Sequence, residues 1–181
     1  KRQSVMHDGY DTHDNQAPRH TELLSELDEA LDVFFTTLSP ANAARTAVLV
    51  ISEFGRRVAP SASLGTDHGA AGLAMFMGPS VRGGIRSTPS SLSTLDARGD
   101  QHHTVDFRSV YATVIRDWLG GDDHDVLGAT HERLDLVDEP APGAFPPASS
   151  RFTDVPDGQW YSDAIAWMAA TGPCMCTTPQ T

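Results

Sequence analysis

The chain has 181 residues, 39% of them hydrophobic, which is enough for one domain with a core of its own. Its formal net charge of −11 argues against a nucleic-acid-binding surface, which would need clustered Lys and Arg. No apolar run approaches the roughly 20 residues that span a bilayer, and the only cysteines, Cys174 and Cys176, exclude a small disulfide scaffold.

The chain opens at Lys1 with no charged-then-apolar leader, so the expectation is a fragment, with any export signal lying upstream. Asp8-Gly9-Tyr10-Asp11-Thr12-His13-Asp14-Asn15 is polar and turn-forming. Its composition reads as a solvated loop. Asp11 and His13 flank a single residue, however, and in an extended backbone they point the same way, as two metal ligands do.

From about Arg19 to Leu38 the apolar residues Leu23, Leu24, Leu27, Ala30, Leu31, Phe34, Phe35 and Leu38 recur at helical spacing. Acidic first turns suit the positive end of the helix dipole, and Ser39-Pro40 stops the helix. It is expected to pack one apolar stripe on a sheet, with His20 either a first-turn surface residue or a ligand. Val48 to Ile51 has the pattern of a strand buried on both faces of a parallel sheet, ending in Ser52, Glu53, Phe54 and Gly55. Ligands bind at such strand ends in open α/β sheets, which makes Glu53 a candidate.

Gly65-Thr66-Asp67-His68-Gly69 reads as a loop in which adjacent Asp and His offer an oxygen and an imidazole nitrogen to one cation. Ala70 to Phe76 is a helix start or a buried segment, and Gly78 to Ser93 is irregular. A second helix is capped by Thr104 or Asp106, carries Val105, Phe107, Val110, Tyr111, Val114, Trp118 and Leu119 on one face, and closes at Gly120-Gly121. His102 and His103 just before it are better placed as loop ligands than His7, His124 or His131, with surface exposure the expectation. Pro140 to Ser150 has the composition of a semi-rigid linker. The helix beyond it, capped by Ser162 and carrying Ala164, Ile165, Trp167 and Met168, cannot form a core alone. Cys174 and Cys176 read as part of a disordered tail.

Four motifs in order carry a resemblance: Asp8-Gly9-Tyr10-Asp11-Thr12-His13, Ser52-Glu53-Phe54-Gly55-Arg56, Gly65-Thr66-Asp67-His68-Gly69, and Val105-Asp106-Phe107-Arg108-Ser109-Val110-Tyr111-Ala112. They resemble the carboxy-terminal half of a bacterial exported family, domain of unknown function 1501, which looks like a branch of the alkaline phosphatase and sulfatase superfamily. The resemblance implies an α/β fold, part of a three-layer α/β/α sandwich with a short helical appendage. It further implies that Asp11 and His13 match one metal-ligand pair and Asp67 and His68 another. In a second register, Glu53 takes the place of the superfamily's Asp-His pair and His68 is the later, separate histidine. The superfamily's nucleophile sits in an amino-terminal half that this chain is expected to lack, so the fragment alone is expected to be inactive.

Carboxylate and imidazole ligands accept a divalent metal without choosing among Zn, Mn, Fe and Ca. Paired metals stabilise both oxygens of a phosphoryl or sulfuryl transfer. Arg56 or Arg57 offers a planar fork to an anionic ester, the alternative being a salt bridge to Glu53 or plain surface. The tail, Phe152-Thr153-Asp154-Val155 with Trp160, Ala164-Ile165 and Gly172, is similar to the opening of an S-layer homology module, which implies tethering to cell-wall polysaccharide. The expected division is 1–138 hydrolase-like, 139–150 linker and 151–181 wall-module-like. The expected function is an exported metal-dependent hydrolase of phosphate or sulfate esters, found in the periplasm, outside the cell or on its surface. The alternative is a non-catalytic cell-surface or cell-wall module.

Overall fold

The structure, a computed structural model, describes residues 3–138. The linker, the wall-module likeness and both cysteines lie outside the described residues. Two compact units are present: residues 3–79 with 89–103, and residues 80–88 with 104–138.

In the first unit, helix α1 (Gln16–Thr37) begins three residues before the sequence expectation. Asn15 stands before it in the left-handed region at φ 40° and makes no side-chain cap. The entry is held from outside instead, by Asn15 N–H donating to the Ser63 carbonyl (2.9 Å) and Gln16 N–H to that of Leu64 (3.0 Å). The apolar positions do form a stripe, with Leu23 fully buried and Leu27, Leu31 and Phe35 half-buried. Leu24, Val33 and Phe34 lie outside it and are exposed. Ser39 and Pro40 end α1 as expected and open the single turn α2 (Pro40–Ala43), in which the Ser39 hydroxyl accepts from Asn42 N–H.

The strands depart from the sequence expectation. β1 (Val48–Val50) pairs antiparallel with β4 (Met75–Met77), Leu49 opposite Phe76, and all six residues are half-buried. The doubly buried parallel strand is therefore corrected. Three apolar residues look alike whether a sheet covers one face or two, so periodicity alone could not decide. β2 (Gly55–Pro60) pairs antiparallel with β3 (Thr66–Gly69), so the expected Asp-His loop is a strand. Gly65 and Gly69 suggested a loop, but they are there for close backbone approach. An added Cβ on Gly69 would lie 2.7 Å from the Arg56 carbonyl carbon. The described residues thus mix helices with small antiparallel sheets.

In the second unit, α3 (Phe107–Thr113) is capped by Asp106, whose carboxylate accepts from Arg108 N–H. It runs on as a π-helical turn (Val114–Trp118), with Leu119 N–H bonded to the Val114 carbonyl at 3.0 Å. Tyr111, Ala112, Ile115 and Leu136 are buried and form the core of this unit. Buried Thr113 serves twice: its hydroxyl donates to the Ser109 carbonyl and accepts from Leu134 N–H, both at 2.8 Å. A further helix that the sequence reading missed, α4 (Asp123–Leu127), is capped by Asp122 and ended by Gly128 at φ 71°. Buried Asp123 receives both Nε and one terminal nitrogen of Arg116, an ion pair with two parallel bonds. Among the described residues no helix is long and apolar enough to cross a membrane.

Candidate metal centre

The site is built where the loop before α1 meets the β2–β3 hairpin, all within the first unit. Tyr10 starts a tight turn, its carbonyl accepting from Thr12 N–H at 2.9 Å. His20, on the first turns of α1, secures that turn, with Nε2 3.2 Å from the Tyr10 carbonyl and 3.0 Å from the Thr12 hydroxyl. His20 thus takes neither of the two roles expected of it: half-buried and outside the cluster of candidate ligands, it braces the loop instead. The Tyr10 hydroxyl donates to the Leu23 carbonyl at 3.0 Å and lies 3.2 Å from His7 Nδ1, fixing the loop to α1 a second time.

The hairpin turn grips the other side. Asp14 bridges Leu64, and the Ser63 hydroxyl donates to the His13 carbonyl at 2.7 Å. Gly65 is buried beneath this contact. A Cβ there would stand 2.2 Å from the carbonyl carbon and oxygen of His13, so only glycine lets the two backbones approach. A bulge in β2, where the step from Arg56 to Pro60 faces the shorter step from His68 to Thr66, adds local twist beside the site.

These supports bring Asp11, His13 and His68 together, so that one ligand atom from each lies within 4.8 Å of the others. Asp11 Oδ1 is 2.7 Å from His68 Nε2 and 3.0 Å from His13 Nε2. The hydrogen bond from His68 holds the Asp11 carboxyl below its ordinary range. Desolvation works the other way, and the charges of His68 and His13 and the hydrogen bond from His13 add to the lowering. All three side chains are exposed, so solvent and small solutes can reach the cluster. The His68 ring lies flat on Phe54, with centroids 3.8 Å apart and planes 4° apart.

The other expected residues take different places. Asp67 is exposed, with Oδ1 3.8 Å from His13 Nδ1, beside the triad but outside it. Glu53 is exposed and is not one of the clustered donors. Arg57 donates through Nε to Asp100 at 3.0 Å and lies 4.0 Å from Asp67. Arg56 is nearer, its NH2 3.8 Å from Asp11 Oδ1. His102 and His103 are exposed, as expected.

Metal ligands of this kind stand roughly 2.0–2.2 Å from the ion. A cation would therefore enter by replacing the two His–Asp hydrogen bonds. Two imidazoles and one carboxylate on one side, with the other side open, make a donor set that fits Zn, Mn or Fe and leaves coordination positions free. The model of one protein family, described as protein of unknown function (DUF1501), matches residues 3–138. The chain belongs to this family. No curated protein and no solved structure matches it. All three triad residues fall inside the DUF1501 match, as do the hairpin and loop that hold them.

Sequence reasoning found all three triad residues but not what assembles them. Phe54 stands two residues before Arg56 and meets His68 only because His68 is the Cα partner of Arg56 across the hairpin, a pairing that the sequence does not record. Neither Phe54 nor Gly65 nor His20 therefore carried a signal short of the fold itself.

Proposed function

We propose that this DUF1501 chain forms the metal-binding part of an exported hydrolase that acts on phosphate or sulfate esters. In the parent protein, the chain would belong to an α/β/α sandwich of the alkaline phosphatase type. The observation that carries this reading is the cluster of Asp11, His13 and His68 on an open face of the first unit. A bound divalent cation would supply Lewis-acid stabilisation of the oxygens of the transferred group. Asp11 contributes the hard oxygen and the negative charge, and its low proton affinity keeps it ionised at neutral pH. His13 and His68 contribute imidazole nitrogens, and stacking on Phe54 fixes the plane of His68. Exposure of all three leaves room for an anionic ester, either a small molecule or a charged polysaccharide. The similarity of residues 151–181 to a wall-binding module supports a setting at the cell surface.

The test is hydrolysis of p-nitrophenyl phosphate and p-nitrophenyl sulfate by the parent protein, with Zn, Mn and Fe supplied in turn. The expected result is metal-dependent turnover that falls more than about a hundredfold in His68→Ala, as loss of a metal ligand should give. A folded parent that hydrolyses neither ester with any of these metals refutes the hydrolase and favours the non-catalytic surface module.

A further inference from the structure

Arg56 entered as a candidate clamp for the substrate anion, but its surroundings give it other work. One terminal nitrogen donates to the Tyr10 carbonyl at 2.6 Å, and the other donates to the Thr66 carbonyl. Tyr10 directly precedes Asp11, and Thr66 stands two residues before His68, so one guanidinium spans the two segments that supply the triad. Its Nε is buried without a hydrogen-bond partner among the described residues, and only 18% of the side chain is exposed. The edge of the fork that a phosphate or sulfate would take is already spent on two carbonyls. The guanidinium carbon also lies 5.0 Å from the centroid of Phe54, the ring on which His68 stacks. Arg56 and His68 are Cα partners across the hairpin, so their side chains share a face.

We infer that Arg56 is a positioning residue, which joins the Asp11–His13 loop to the His68 strand and, with Phe54, sets the geometry of the metal triad. The inference rests on the metal-site reading but predicts more. Removing a positive charge 3.8 Å from Asp11 should by itself strengthen cation binding. A positioning role predicts the reverse, because the entropic cost of assembling three ligands returns once the joint is cut. The sign of the change therefore separates the two roles.

The experiment uses the full chain, its Arg56→Gln and Arg56→Lys variants, and Arg57→Gln as control. Co(II) is titrated and followed by its visible absorption, which reports both affinity and ligand geometry. In parallel, the ring-proton shifts of His68, moved upfield by the Phe54 stack, are followed by NMR without metal. Arg56→Gln should bind Co(II) at least about tenfold more weakly, with an altered band and a smaller upfield shift at His68. Arg56→Lys should fall between it and the native chain, while Arg57→Gln stays native. Unchanged or tighter Co(II) binding by Arg56→Gln, or an unchanged His68 shift, overturns the positioning role. A native chain that takes up no Co(II) overturns the metal-site reading instead, and the NMR comparison still decides the role of Arg56. Should Arg56→Gln fail to fold, the milder Arg56→Lys carries both readouts.

Discussion

Gly65 has no chemistry of its own, yet the site depends on it. It lies against the His13 carbonyl, and the same approach lets the Ser63 hydroxyl reach that oxygen. Gly65→Ala would place a methyl 2.2 Å from two backbone atoms of His13 and 2.7 Å from Asp14 N, none of which can swing aside as a flexible side chain does. The variant is expected to lose about 2 kcal/mol of stability and, because the loop must lift, most of its metal affinity. Gly72→Ala is the matched control, since a Cβ there meets nothing nearer than 3.4 Å and should be tolerated. Urea unfolding and metal titration on both variants check this. Asp11, His13 and His68 were legible in the sequence because ligand chemistry is a property of residue type. The roles of Gly65, His20 and Phe54 were not, because each depends on a partner many positions away.

Elements were legible in proportion to the number of residues that repeat a pattern. α1 spans several turns, and its apolar stripe places Leu23, Leu27, Leu31 and Phe35 on the shielded side. The face expected for α3 is its core only in part: Tyr111 is buried, but Phe107 is exposed, and Ala112 and Ile115, which that face left out, are buried. Asp106 is its cap as expected. β1 and β4 offer three residues each, too few for a period to show, and β3 was hidden by the glycines that flank it. The cap of α3 gives a prediction at this scale. Hydrogen bonds from the Arg108 side chain, joined by its backbone N–H and its charge, hold the Asp106 carboxyl at about 2, against desolvation. A carboxyl lowered by folding stabilises above its ordinary value of 3.8, and that contribution is lost as pH falls through about 2. Asp106→Ala should therefore cost about 1 kcal/mol at neutral pH. The gap between native and variant should narrow as pH falls below 4. Urea unfolding from pH 7 down to pH 2.5 measures it, and a gap that stays constant with pH would show that the charge of Asp106 contributes nothing.

At the scale of the whole molecule, the described residues form two units, and the candidate metal centre belongs wholly to the first. The second unit is held by different means, the core of Tyr111, Ile115 and Leu136 and the buried Arg116–Asp123 pair. Membership of the DUF1501 family covers both units. Family order was legible because its four motifs survive as short strings. The antiparallel pairing was not, because it joins segments through contacts that no motif records. Metal stoichiometry of the purified chain, by mass spectrometry beside an Asp11→Ala, His68→Ala double variant, decides whether the triad is a site. A folded native chain should carry close to one divalent ion that the folded double variant lacks. Equal metal content in the two, or none in a folded native chain supplied with Zn, Mn and Fe, would mean that Asp11, His13 and His68 are held together only by their own hydrogen bonds.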